Sequence, residues 1–294
     1  MKKKIYAVIY VVLCVFVLTL SLFPPVVNLI GSFLSEDFVE VVFSSTLEKA
    51  VSEYVGFKHA FSLSQYIDVL VASPDYLYRF WNSIFIVAPV VVFQLVFSSL
   101  TAYGLARGKG RFFTITLYVF LVLMMLPKQV TVIPNYYAVK RLNMLNTWMA
   151  VWLPGVLSSF CVYLLTRYMK RIPEGLFDAA KIDGAGDGRL FVNMVLPICR
   201  GEIIALGTLI LVDSWNQVEL PLIMFNKSTM YPLSVYLSTI RENAVGISFA
   251  SSIIYMIPVL LLFLLSPWIM AIIRLPIWKD ILSKFEMQIG RAHV

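Results

Sequence analysis

The chain has 294 residues, 60% of them hydrophobic and 14% charged, with a mean hydropathy of +0.82 and a net charge of +7. A water-soluble domain of this length has nowhere to hide so much apolar side chain, so its solvent is lipid. In such a chain a basic balance reflects Lys and Arg gathered on one side of a membrane, not a nucleic-acid partner.

A spanning helix needs roughly 20 predominantly apolar residues, and six stretches qualify. The first, about Ile5–Phe33, follows Lys2, Lys3 and Lys4. It is too long for a signal h-region and no small-x-small site follows, so residues 1–33 read as an uncleaved first span. Residues 34–79 form the largest polar segment, with Glu36, Asp37, Glu40, Glu48, Glu53, Asp68 and Asp75. Two readings fit it, a small outer cap of short helices or a solvated connector.

The core then runs over residues 80–274. The second span is expected at about Phe80–Ala106, with Gln94 midway as a polar candidate. "ARGKGR" (Ala106–Arg111) is a tight basic hairpin leading to the third span, about Phe112–Ile133, whose Met-rich "LVLMML" reads as packing. The fourth is expected at about Trp148–Thr166.

Residues 167–200 break the apolar pattern with "IPEGLFDAAKIDGAGDGRLFVNMVLP" (Ile172–Pro197). Pro173 opens a helix at no hydrogen-bond cost, and Glu174 and Asp178 sit near its positive dipole end. Gly184 can stop it with a positive φ, and Asp187 can cap a second helix starting near Arg189. Leu176 and Phe177 then form an apolar knob on a segment expected to face water. Such a knob fits a protein partner or a bed of lipid headgroups equally well.

The fifth span, about Glu202–Phe225, carries Asp213 roughly 16 Å along the helix from Glu202, near mid-membrane. Asn216 and Gln217 share its face. Trp215 lies beside them. One reading of this cluster is a polar wall of a translocation path, with Trp215 stacking on a ring. For Asp213 the favoured reading is a helix–helix contact with a partner subunit. The sixth span is about Ile247–Ile273, followed by a tail over 275–294.

With the N-terminus inside, sixteen of the 24 lysines and arginines fall on inner segments, which puts both termini in the cytoplasm. There is no G-x-x-x-x-G-K-[ST] phosphate loop, no H-E-x-x-H and no Ser/His/Asp constellation. Cys14, Cys161 and Cys199 lack metal-ligand spacing. No catalytic chemistry and no resident cofactor or metal is expected.

The spacing from Asp178 to Pro197 resembles the E-A-A-x-x-x-G-x(9)-I-x-L-P signature of permease subunits in binding-protein-dependent ABC importers. Here it reads Asp178-Ala179-Ala180, Gly184 and Met194-Val195-Leu196-Pro197, with Asp for Glu at 178 and Met for Ile at 194. "RFWNSIFIV", "AYGLAR", the "IPNYYAVKRLNMLNT" run and "SWNQVELP" are similar to the carbohydrate branch, in particular the second permease subunit of maltose-type importers. The resemblance implies an all-α type I importer domain of six transmembrane helices. Its coupling helix would dock on a cytoplasmic ATPase through Glu174, Leu176, Phe177, Asp178, Ala179, Ala180, Asp183, Gly184 and Pro197. It also implies a second homologous permease subunit, two ATP-binding subunits that hold ATP and Mg, and an extracytoplasmic solute-binding protein. The family's glycine-rich basic tail is missing, and "QIGRAHV" (288–294) reads as a sequencing-adapter scar. Two other readings stay in view. One is a permease for a non-sugar solute. The other is an autonomous secondary transporter, whose hallmark would be paired broken helices, which the hydropathy pattern does not show.

Overall fold

The computed structural model describes residues 2–35, 39, 61–72, 74–239 and 246–265. Every regular element among them is helical; an isolated bridge joins Leu34 and Phe61. The protein is an all-helical membrane protein with four helices long and apolar enough to cross a bilayer, or up to six if each of two bent helix pairs is one span.

The chain divides into two units. In one (1–81 with 235–257), α1 covers Lys2–Ser32, and the rest of the chain buries none of its most apolar stretch. Such a helix has lipid or another subunit for company. The short α2 (Ser64–Ile67) continues as a π-turn over Asp68–Ala72. Tyr66 Oη donates to Ser32 Oγ at 2.7 Å, and Gln65 donates to the Leu34 carbonyl. Gly31 lies so close to the Phe249 ring that a Cβ would sit 2.7 Å from it. The cap proposed within 34–79 falls largely outside the described residues, as does the tail 275–294.

The third helix, α3 (Pro74–Arg107), starts six residues earlier than the apolar run implied. Pro74 and Asp75 are a helix-start pair, one needing no N–H bond and the other favouring the positive dipole end. In the second unit (82–234 with 258–294) the helices are α4 (Arg111–Leu123), α5 (Lys128–Arg141), α6 (Met149–Val156), α7 (Ser159–Met169), α8 (Glu174–Ile182), α9 (Asp187–Ile198), α10 (Arg200–Trp215) and α11 (Glu219–Met224). Further helices are α12 (Leu233–Ser238) and α13 (Gly246–Leu265).

Three expectations are corrected. The third span does not run to Ile133: it stops at Leu123, and α5 leaves at a 106° bend. Pro127 explains this, since its ring and missing N–H end a helix and it sits just before α5 in extended backbone. The fifth apolar run is not one helix either. It breaks after Trp215, where Asn216 takes the cap position, and resumes at Glu219. The absence of broken helices, used above against a secondary carrier, therefore fails as a discriminator.

One core of the second unit gathers Val90, Ala102, Cys161, Leu165, Met169, Phe177, Leu190, Val195, Leu206 and Ile210. Here α7 packs against α4 and α10. A second core, around Ile86, Val139, Val151, Leu220 and Phe225, holds α11 against α5 and α6. Polar staples fix its edges. Asn82 Nδ2 donates to the Thr229 and Tyr231 carbonyls at 2.8 and 3.2 Å, and Ser83 Oγ accepts from Leu233 N–H at 2.8 Å. Asn146, at φ +61, accepts from Asn226 N–H through its side chain.

Candidate coupling segment and membrane polar face

The segment 172–197 folds as two helices around a glycine stop. Pro173 lies just outside α8, with φ −58° and ψ 135°, and not inside its first turn. At the other end Gly184 takes φ +77°, and two bonds close the turn. Its N–H donates to the Lys181 carbonyl, and Ala185 N–H to the Ala180 carbonyl, both at 3.0 Å. That pair is a Schellman motif, which satisfies carbonyls the helix would leave orphaned. Ala180 and Ala185 both pack on the core, closing it with an apolar contact.

Asp187 does not cap the second helix. It is the first residue of α9, after Gly186. Within α9 the ladder loosens into a π-turn over Phe191–Val195, directly before Pro197. Proline cannot donate to the carbonyl one turn back, and the wider turn absorbs that defect. The chain then bends by 75° into α10.

Which residues face outward differs from expectation in one respect. Phe177 is no exposed knob: at 1% exposure it is the anchor of α8 in the core. The Arg107 guanidinium lies 3.8 Å from its ring centroid, a cation–π contact. One turn back along α3, Tyr103 rests on Phe191 at 5.1 Å, and its hydroxyl donates to the Asp187 carbonyl at 3.4 Å. The end of α3 thus grips both arms of the segment. Leu176 (47% exposed) and Ile182 (86% exposed) are the outward apolar side chains, with Glu174, Asp178, Ala179, Asp183 and Gly184 also exposed. Ala180 is half-buried and Pro197 likewise. Ile182 was not among the expected site residues, and Tyr103 and Arg107, met only within the "AYGLAR" motif and the basic hairpin, were given no role in the segment. An isoleucine three residues beyond Ala179, on the same face and just before a glycine stop, was the available signal. A cavity of about 280 Å³ lies where the basic hairpin meets the start of α8, lined by residues including Arg107, Lys109, Lys170 and Glu174.

At the polar face, the structure gives Asp213 a partner that sequence reasoning did not assign to it. Lys128, the first residue of α5, forms an ion pair with it. Asn216 is exposed, and its Nδ2 donates to the Val212 carbonyl at 2.8 Å. Gln217 is half-buried, its carbonyl accepting from Ser234 Oγ at 2.7 Å. Trp215 is 2% exposed, so its indole packs within this chain instead of stacking on a solute. Gln94 is buried and donates to Cys161 Sγ at 3.4 Å. Among the described residues no cluster of His, Cys, Asp and Glu is placed to hold a metal.

Residues 60–275 match the family model of the binding-protein-dependent transport system inner membrane component. The chain belongs to this family. It is thus a multi-pass permease subunit of the inner membrane in an ABC importer, and not an ATPase. Among its relatives is the arabinooligosaccharides transport system permease protein AraQ of Halalkalibacterium halodurans, 29% identical over 69% of this chain and 74% of the relative. The polygalacturonan/rhamnogalacturonan transport system permease protein YtcP of Bacillus subtilis is 31% identical over 69% and 71%. In fold, the permease is similar to a crystal structure of a bacterial ABC transporter that imports the acidic polysaccharide alginate. The TM-score is 0.74 at 18% identity, over 92% of this chain and 97% of that one.

Proposed function

We propose that this permease imports a carbohydrate, driven by ATP hydrolysed in two partner subunits that dock on α8. A second, homologous permease subunit completes the pathway, an extracytoplasmic binding protein delivers the solute, and both termini lie in the cytoplasm. ATP and its Mg ion belong to the partner subunits, since this sequence has no phosphate loop.

The observation that carries this reading is the outward face of α8. Leu176, Ala179 and Ile182 present small and apolar surface, flanked by Glu174, Asp178 and Asp183, on a helix whose inner face is pinned by Phe177. An exposed apolar face on a rigidly capped helix suits insertion into a cleft. The grip of Arg107 and Tyr103 then gives a displacement of α8 a direct route into α3. Carbohydrate as the solute is supported by the sugar polymers named in both relatives above.

Ala179→Arg tests the reading. Its side chain points away from the core, so the permease inserts and folds while the ATP-binding subunits no longer co-purify and uptake stops. Co-purification and ATP-dependent uptake at the unmutated level would overturn it.

A further inference from the structure

Lys128 and Asp213 come from two different bent helix pairs, one at the start of α5 and the other one turn from the end of α10. Both side chains are open on this chain, at 67% and 59% exposure. Each charge sits at a break in a candidate span, Lys128 past the end of α4 and Asp213 near the end of α10, where an ionised group is found against protein or water and not against hydrocarbon. Its surroundings are polar too. Asn216, exposed at the cap position of α10, lies three residues along from Asp213.

We propose that the Lys128–Asp213 pair is a solute-contact surface in the translocation path, built for an uncharged, hydroxyl-rich solute. The proposal rests on the import reading above and adds the charge class of the cargo. An ammonium offers only donors and a carboxylate only acceptors. Neighbouring sugar hydroxyls can accept from Lys128 and donate to Asp213 together, inserting into the pair without leaving either charge unpaired. A uronate or phosphate would have to displace Asp213 from the ammonium and sit beside the carboxylate it displaced, which like-charge repulsion opposes. Family membership does not decide this point. The relatives named above include one for arabinooligosaccharides and one for polygalacturonan, and the fold neighbour moves an acidic polysaccharide.

The experiment uses the complete importer in proteoliposomes, without the binding protein, whose own selectivity would otherwise set the result. Asn216→Cys on a Cys14→Ser background leaves the pair intact and reports on its surroundings. A water-soluble methanethiosulfonate is expected to label it. A neutral arabino-oligosaccharide at about ten times its Kd should slow labelling by about tenfold, since only the unoccupied surface reacts, and a galacturonate oligomer of equal length and concentration should not. Asp213→Asn keeps an acceptor but removes the charge, so the neutral sugar's protection should weaken and protection by the galacturonate should appear. No labelling would mean the face is sealed by the second permease subunit, and equal protection by both oligomers would mean charge is not read. Either result overturns the proposal. The import reading fails separately, by ATP-binding subunits and ATP-dependent uptake that survive Ala179→Arg.

Discussion

Gly184→Ala isolates the turn that ends α8. Nothing lies within 4 Å of a Cβ built there, so the substitution introduces no clash inside the chain. What it introduces is a side chain at φ +77°, where an L-residue costs about 1–2 kcal/mol. Part of that is offset, because replacing Gly stiffens the unfolded chain by ~0.4–1 kcal/mol. The net is about 1 kcal/mol, roughly a fivefold shift in a local opening equilibrium. Two amides report it directly, those of Gly184 and Ala185, which donate to Lys181 and Ala180. Hydrogen exchange on the detergent-solubilised permease should show peptides covering 181–185 exchanging about fivefold faster in the Ala variant. Gly184→Asn should fall between Gly and Ala, because Asn tolerates the left-handed region. Unchanged exchange in the Ala variant, or equal exchange in Ala and Asn, would refute the assignment of this glycine to backbone geometry.

Four further outcomes follow from side-chain packing. Phe177→Ala empties a core position and should cost about 3–5 kcal/mol, read as a lower thermal unfolding midpoint. Arg107→Met removes only the cation and should cost about 0.5–2 kcal/mol by the same measurement. Ser83→Ala strands the Leu233 N–H, and a penalty of about 1–3 kcal/mol should appear as faster exchange at the start of α12. Gly108→Ala would place a Cβ 2.2 Å from the Phe113 ring, so the hairpin must shift, and trypsin should cut faster after Lys109.

Much of this architecture was legible because the strongest signals are local. The glycine stop, the length of α8 and the positions of most apolar runs follow from residues a few places apart, and the helices over those runs begin or end within a few residues of expectation. The errors about exposure and pairing share a cause: they depend on partners far along the chain. Phe177 looked exposed because its segment is polar, yet α3 supplies the cation and the core that bury it. Lys128 fell inside the expected third span with no assigned role, and the structure pairs it with Asp213 across the bend at Pro127. Trp215 looked available for stacking, and the fold packs it inward. The motifs behind the resemblance also acquire physical roles. Asn82 and Ser83 staple the approach to α12, Asn146 holds the loop after α11, and Tyr103 with Arg107 clasps the segment 172–197.

Among the described residues Arg107 forms no ion pair in that clasp. Arg107 meets the quadrupole of a ring sealed from solvent, at 3.8 Å, well inside the roughly 8 Å over which physiological salt screens charge. Exposed ion pairs weaken as ionic strength rises; this contact keeps its strength. Where solutes concentrate around the protein during osmotic stress, exposed ion pairs weaken, while the contact between α8 and α3 stays as firm as in dilute conditions.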